Sequence, residues 1–456
     1  MIPGEGRFVL PGLWDMHVHL LSDTGEQATE ELALPLFIAH GVTAVRDMAD
    51  LVSDTDYRIS TVPTKHRWDA EARAGLRVGP RVVAAGSFAV DGPSNLQEWP
   101  NAPDIFGTAT PEAARKLVRY FTDERPADFI KVYSGIPRDA YFALMDEARR
   151  AGITVAGHKP LAVSFVEAAD AGQKSMEHAR EMILDSFPGA AELQRNSIER
   201  NLPPERLRQI LDAHDPQMLR NIFAAMVRNR AYYVPTHLTR LFDWKAAARD
   251  SAFLNDSRLR LLHPESLKAI REDVAETQAK APRAQDAQIY RAFFEKGLDI
   301  TRQAHEAGVW IMAGTDASDS FCFHGSGLHD ELALMVRGGM APLAVLRAAT
   351  IVPAQYVGRS EDFGAVAPGR VADLVLLDRN PLADIQNTRE IRTVVFNGRV
   401  FDRPSLDAIL RIVEEKAQRL QAVGDLTRVP GAQSQTTRRR ADGGSLVPSL
   451  RRAQRL

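Results

Sequence analysis

Short β-branched runs alternate with helical stretches eight times along the chain, and this alternation constrains the fold more than any other feature. Candidate strands are 13–20, 42–47, 81–86, 129–133, 153–158, 175–178, 232–236 and 309–316. Between them the spacing predicts helices at 29–40, 111–123, 138–151 and 164–171, with Gly41, Gly152 and Gly172 where a helix would stop. Apolar strands repeated with crossover helices predict an α/β fold, a closed parallel (β/α)8 TIM-like barrel.

Two intervals exceed a simple crossover. Residues 87–110 carry Pro93, Pro100 and Pro103 and read as an extended loop over one barrel mouth. Residues 179–230 and 241–303 add helices around the late strands, and a last pair of helices is expected at 328–337 and 342–350. The texture then changes. Residues 364–403 hold two β-rich runs, Ala372-Asp373-Leu374-Val375-Leu376-Leu377 and Thr393-Val394-Val395-Phe396, with turns at Asn380-Pro381 and Asn397-Gly398, a small β unit. The expected organisation is a barrel over 8–363, this β unit over 364–403, a terminal helix over 404–428 and a disordered basic tail over 429–456. That tail has six Arg and one Asp with no aromatic residues between them, so a nucleic-acid arm is disfavoured.

Composition removes several function classes. Lys+Arg at 57 against Asp+Glu at 59 leaves a formal charge of -2, which offers no overall field for a nucleic-acid backbone. The single cysteine, Cys322, cannot close an intramolecular disulfide. No run approaches the roughly 20 apolar residues of a membrane span, and residues 1–7 lack the apolar core of a secretory signal. A cytoplasmic chain without membrane or nucleic-acid partners is expected from the sequence as written.

The chemistry-bearing residues fall at strand ends. His17 and His19 are two apart on a strand and therefore share a face. Lys131 lies near the end of the fourth strand, His158 ends the fifth, His178 the sixth and Asp316 the eighth. These C-terminal ends form the rim on which barrel enzymes build their sites. An HxH pair alone also suits two structural histidines, but six metal-type side chains on five strand ends are hard to assign to packing. Tyr133 shares a face with Lys131, and a packing role suits it as well as an oxyanion contact. His237 follows strand seven, with a structural role equally open. Arg180 and Arg240 sit just past strands six and seven, where either could hold a substrate carboxylate. Cys322 and His324 lack an orienting partner for thiol catalysis. His324 and His329 fit better as pocket-lining residues or as supports for the start of the following helix.

These residues resemble the amidohydrolase superfamily of metal-dependent hydrolases, within it most nearly the imidazolonepropionase-like and prolidase-like branch. The match lies in Pro11-Gly12-Leu13-Trp14-Asp15-Met16-His17-Val18-His19, Gly41-Val42-Thr43-Ala44-Val45-Arg46-Asp47, Ile130-Lys131-Val132-Tyr133, Ala156-Gly157-His158, Glu177-His178 and Ala313-Gly314-Thr315-Asp316. Pro368-Gly369-Arg370-Val371-Ala372-Asp373-Leu374-Val375 and Asn380-Pro381-Leu382 resemble that family's C-terminal β segment. The resemblance implies two divalent metal ions, zinc foremost with manganese, cobalt or iron as alternatives. One would be held by His17, His19 and Asp316, the other by His158 and His178, with N6-carboxylated Lys131 bridging. It implies cleavage of an amide, peptide-like or cyclic amide C–N bond of a small molecule by a metal-bridging hydroxide, with Asp316 as ligand and acid/base.

Two alternatives accompany this reading. A mononuclear deaminase of the same fold would carry a glutamate three residues after His158, where this chain has Leu161. An inactive truncated remnant is the other, because relatives carry several strands before the HxH strand and only residues 1–7 precede the match here. The C-terminal β segment is then expected to be an incomplete sandwich with an apolar face lacking an intrachain partner, and so to favour homo-oligomers.

Overall fold

The computed structural model describes residues 4–20, 25–48, 62–92, 108–195 and 202–426. Residues 93–107 of the proline-bearing loop and the 429–456 tail lie outside the described residues.

The chain opens with β1 (Phe8–Pro11) and β2 (Leu13–Val18), divided at Gly12. With β3 (Val42–Asp47) and β4 (Arg81–Ala85), β2 forms a three-stranded parallel sheet, order β2-β3-β4. A five-stranded parallel sheet follows: β5 (Phe129–Val132), β6 (Thr154–Gly157), β7 (Ser175–Glu177), β8 (Tyr232–Val234) and β9 (Trp310–Ile311), in sequence order. All eight expected strands are present. Every residue of β2 and β3 is buried, including the polar Asp15, His17, Thr43, Arg46 and Asp47 among the apolar ones, so neither strand shows an alternation of buried and exposed positions. Parallel bridges Gly86–Phe129 and Val90–Val132 link the β4 end to β5, and Val18–Ala317 links β2 to the segment after β9.

The last strand is shorter than its pattern. Beyond Ile311, Met312 N–H still donates to Tyr233 (2.9 Å), but Ala313 turns to Ala348 (2.9 Å) and Asp316 adopts φ +64°, ending the extended run. The helices follow their sequence signals more closely. Arg138–Ala151 ends at Gly152 with φ +72°, and Phe165–Ala171 starts from a capping box in which Ser164 Oγ accepts from Glu167 N–H (3.2 Å). Residues 179–230 and 241–303 are mainly helical among the described residues, the longest helix being Ala284–Glu306. No helix among the described residues is long and apolar enough to cross a membrane.

The small β unit departs from expectation. β10 (Leu374–Leu377), β11 (Ile391–Phe396) and β12 (Arg399–Asp402) form an antiparallel sheet whose fourth strand is β1, in the order β1-β10-β11-β12. Its inner face does not lack an intrachain partner. Val375, Leu377, Val394 and Phe396 are buried against Ile38, Ala72 and Leu406, the last from the terminal helix Arg403–Leu426. Fully burying such side chains is worth about 1.5–3 kcal/mol each, so this face is stabilised by the terminal helix together with Ile38 and Ala72. Further along the same helix, Val413 and Ala417 pack on Leu32, Leu36 and Leu261. Only the outer face stays open, with Val9 and Val400 about half exposed (49% and 53%).

Candidate metal centre

Local backbone features bring the ligand-type side chains together. A Cβ on Gly314 would lie 2.8 Å from His17 Cβ, so glycine lets the Ala313–Asp316 segment run against β2. Gly157 plays the same part opposite Lys131, whose Cδ would be 2.8 Å from an added Cβ. Asp15 ties the two segments: its Oδ1 accepts from Thr315 N–H (3.0 Å) and His17 N–H (3.2 Å), its Oδ2 from Thr315 Oγ1 (2.7 Å). Burial pushes the Asp15 carboxyl up to about 6 despite these bonds.

Asp316 sits at the centre, fully buried. Its Oδ1 is 3.2 Å from His17 Nε2 and 3.1 Å from His19 Nε2, and its Oδ2 is 3.7 Å from His178 Nδ1. Ligand-type atoms of His17, His178 and Asp316 all lie within 4.8 Å of one another. His178 Nε2 faces His158 Nε2 at 2.9 Å, while their other nitrogens meet the hydroxyls of Thr236 (2.8 Å) and Ser134 (2.9 Å). Burial foremost, then neighbouring positive charge, holds His158 and His178 well below the usual imidazole range, so both are neutral donors of a lone pair. Burial acts to raise Asp316, but the His17 and His19 rings hold it well below the ordinary carboxylate range. Burial pulls Lys131 down to about 8 against the opposing charges of Glu177 and Asp316.

Glu177 carries no role in the sequence reading. It is fully buried and receives both Arg46 Nη2 contacts (3.0 Å each), Ser175 Oγ (2.5 Å) and His17 Nδ1 (3.0 Å). Burial would raise its carboxyl, yet Arg46 and His17 bring it down to about 2. A carboxylate in that state only accepts, so His17 Nδ1 donates to it, and in the neutral ring that leaves the lone pair on Nε2. His17 Nε2 lies 3.2 Å from Asp316 Oδ1. His17 Nε2, Lys131 Nζ and both Asp316 oxygens are buried without a hydrogen bond. Buried imidazole and carboxylate groups converging with ligand atoms that lack hydrogen bonds fit a divalent cation, and Lys131, brought down to about 8, is within reach of its neutral amine form. The only sequence signal for Glu177 was its place beside His178.

The remaining candidates separate. Tyr133 stacks on His158 (centroids 4.1 Å, 19°), and its buried hydroxyl has no hydrogen bond; burial, reinforced by Asp316, keeps it well above the usual phenol range. Arg180 is buried, with Nε donating to Glu181 (2.9 Å) and neither Nη atom hydrogen-bonded. Its charge acts on Tyr133, His158 and His178. Arg240 instead pairs with Asp243 (2.5 Å) on its own helix. The His237 ring lies against Gly297 and hydrogen-bonds to none of the ligand-type residues, while its backbone N–H donates to Glu331 (2.9 Å). His324 packs edge-on to Phe37 (5.5 Å) and lines a cavity with Leu20 and Phe321 beside the ligand end. His329 turns away from it, bonding Thr388 (2.9 Å) and the His40 carbonyl (2.9 Å). Cys322 is buried, its Sγ 3.8 Å from the Ser320 carbonyl.

Similar proteins were found at three ranges. Ochratoxinase of Aspergillus niger is 33% identical over 121 residues, 25% of this chain and 24% of that enzyme. Adenine deaminase 2 of Agrobacterium fabrum is 41% identical over 85 residues, 18% of this chain and 14% of that enzyme. These matches thus span about a quarter or less of the curated relatives. Among solved structures, bottromycin amidohydrolase superposes with a TM-score of 0.65 at 25% identity, covering 90% of this chain and 81% of that one. Residues 8–401 match the amidohydrolase family over nearly the whole described chain, and the protein belongs to that family.

Proposed function

We propose that the chain is a binuclear metal hydrolase cleaving an amide, peptide-like or cyclic amide C–N bond of a small molecule, at the mouth of a closed (β/α)8 barrel. The observation that carries this reading is the cluster of buried imidazoles around Asp316, with ligand-type atoms that make no hydrogen bond. His17, His19 and Asp316 would hold one divalent ion, His158 and His178 the other, with carboxylated Lys131 between them. Zinc suits this set best; manganese, cobalt and iron suit it too. When bound, the ions supply an activated water and polarise the scissile carbonyl.

The chain's own groups do the rest. Asp316 engages two imidazoles through Oδ1 and keeps Oδ2 to take a proton from the attacking water and return it to the departing nitrogen. Tyr133 remains protonated and donates to the developing oxyanion. Arg180, with two uncommitted Nη atoms in a buried setting, grips a carboxylate on the substrate as a fork. A deaminase reading finds less support: Leu161 stands where that chemistry needs a carboxylate, and Lys159 is spent on the Val163 carbonyl (2.9 Å).

Purified protein is expected to hold close to two divalent ions per chain, and Lys131→Ala to lose metal and most turnover of dipeptides, N-acyl amino acids or lactams. A Lys131→Ala protein with undiminished metal content and turnover would falsify the binuclear reading.

A further inference from the structure

Beneath the ligand cluster, a buried charge pair spans three strands. Arg46 on β3 donates from Nε to the Met16 carbonyl on β2 (2.7 Å), from Nη1 to Ser175 Oγ on β7 (2.7 Å) and from Nη2 to both oxygens of Glu177 (3.0 Å each). Arg46 and Glu177 are both fully buried. Glu177 passes the contact on to His17 Nδ1 at 3.0 Å. Such a pair is no strong source of stability, because an apolar pair of similar volume commonly does as well or better. Its placement therefore asks for another account.

We infer that Glu177 and Arg46 are positioning residues that lock His17 in the tautomer with Nε2 free for metal. This rests on the metal reading above. An ionised carboxylate is a stronger acceptor than a neutral amide, so it fixes the Nδ1 proton and makes Nε2 a better donor. Arg46 cancels the added charge, so the ring is activated without placing a net negative charge beside an anionic substrate. The histidines 158 and 178 are backed by hydroxyls, which can donate or accept and leave the ring tautomer unassigned. Of His17, His158 and His178, His17 is thus the one whose free nitrogen the fold itself dictates.

The test is chelator competition for zinc, with thermal unfolding of each protein in excess chelator. Arg46→Met/Glu177→Leu removes the acceptor while keeping an apolar pair of similar volume, and Arg46→Met/Glu177→Gln keeps a neutral acceptor. The first double variant is expected to bind zinc about 10–100-fold more weakly than the parent, the second to lose less, and neither to unfold earlier in chelator. Zinc affinity equal to the parent's in Arg46→Met/Glu177→Leu overturns the inference while leaving the metal reading intact. A loss of affinity matched by an equal loss of unfolding temperature in chelator also overturns it, because the pair is then merely structural. A parent protein that binds no divalent metal removes both.

Discussion

The ligand end of the parallel strands and the small antiparallel sheet are both buried, but they are finished in opposite ways. Around Asp316, buried polar atoms converge without hydrogen bonds, which in a metal-free protein costs folding energy. At the sheet, apolar side chains close on the terminal helix, and the polar groups at its margin are paired: Arg81 binds Asp373 (2.6 Å) and Asn397 (2.8 Å). The contrast separates a region whose buried polar atoms are left unpaired, as the proposed metal site requires, from one whose groups satisfy each other. Substitutions in the two regions should therefore move different observables.

The sharpest break is at Asp316. Asp316→Asn is expected to lower kcat about 100-fold or more with a native circular dichroism spectrum, and an effect confined to KM would refute its proton-transfer role. At the other region, Leu406→Ala should cost about 2–5 kcal/mol in denaturant unfolding, because it opens a cavity beneath Val375 and Phe396, while kcat stays at the parent value. Loss of activity without loss of stability there would dissolve the contrast. A smaller effect separates the two arginines. Arg180→Met should raise KM about 10–100-fold for substrates with a free carboxylate and leave their neutral amides unaffected, a loss equivalent to one charged hydrogen-bonded contact. Arg240→Met, whose guanidinium is already engaged by Asp243, should change KM by less than about threefold.

Much of the parallel-strand and helix framework, and the gathering of His17, His178 and Asp316, was legible because both depend on short-range signals. Strand and helix periodicity operate over a few residues, and each ligand-type residue except Asp316, five residues beyond β9, sits at or just past a strand end. His17, His19, His158, His178 and Asp316 could thus be picked out before their distances were known. The small sheet was less legible. β1 is four residues long, and its pairing of Phe8 with Leu377 and Val9 with Leu376 spans more than 360 positions that no local pattern records. The same distance hid the terminal helix's role, since the amphipathic run at 404–422 announces a buried face without naming its partner.

What the sequence determined by itself was the inventory: eight apolar strands, helices with their stops, and a donor set suited to divalent cations, all encoded in residue type and spacing. What only the tertiary structure decided was the company each group keeps. It showed Glu177 on β7 reaching His17 on β2, Arg180 rather than Arg240 left with uncommitted donors, and Leu406 sealing a face expected to be bare. The physical reason is common to all three. Hydrogen bonding, charge pairing and burial act through space over a few ångströms, and chain connectivity places no bound on how far apart in sequence their partners lie.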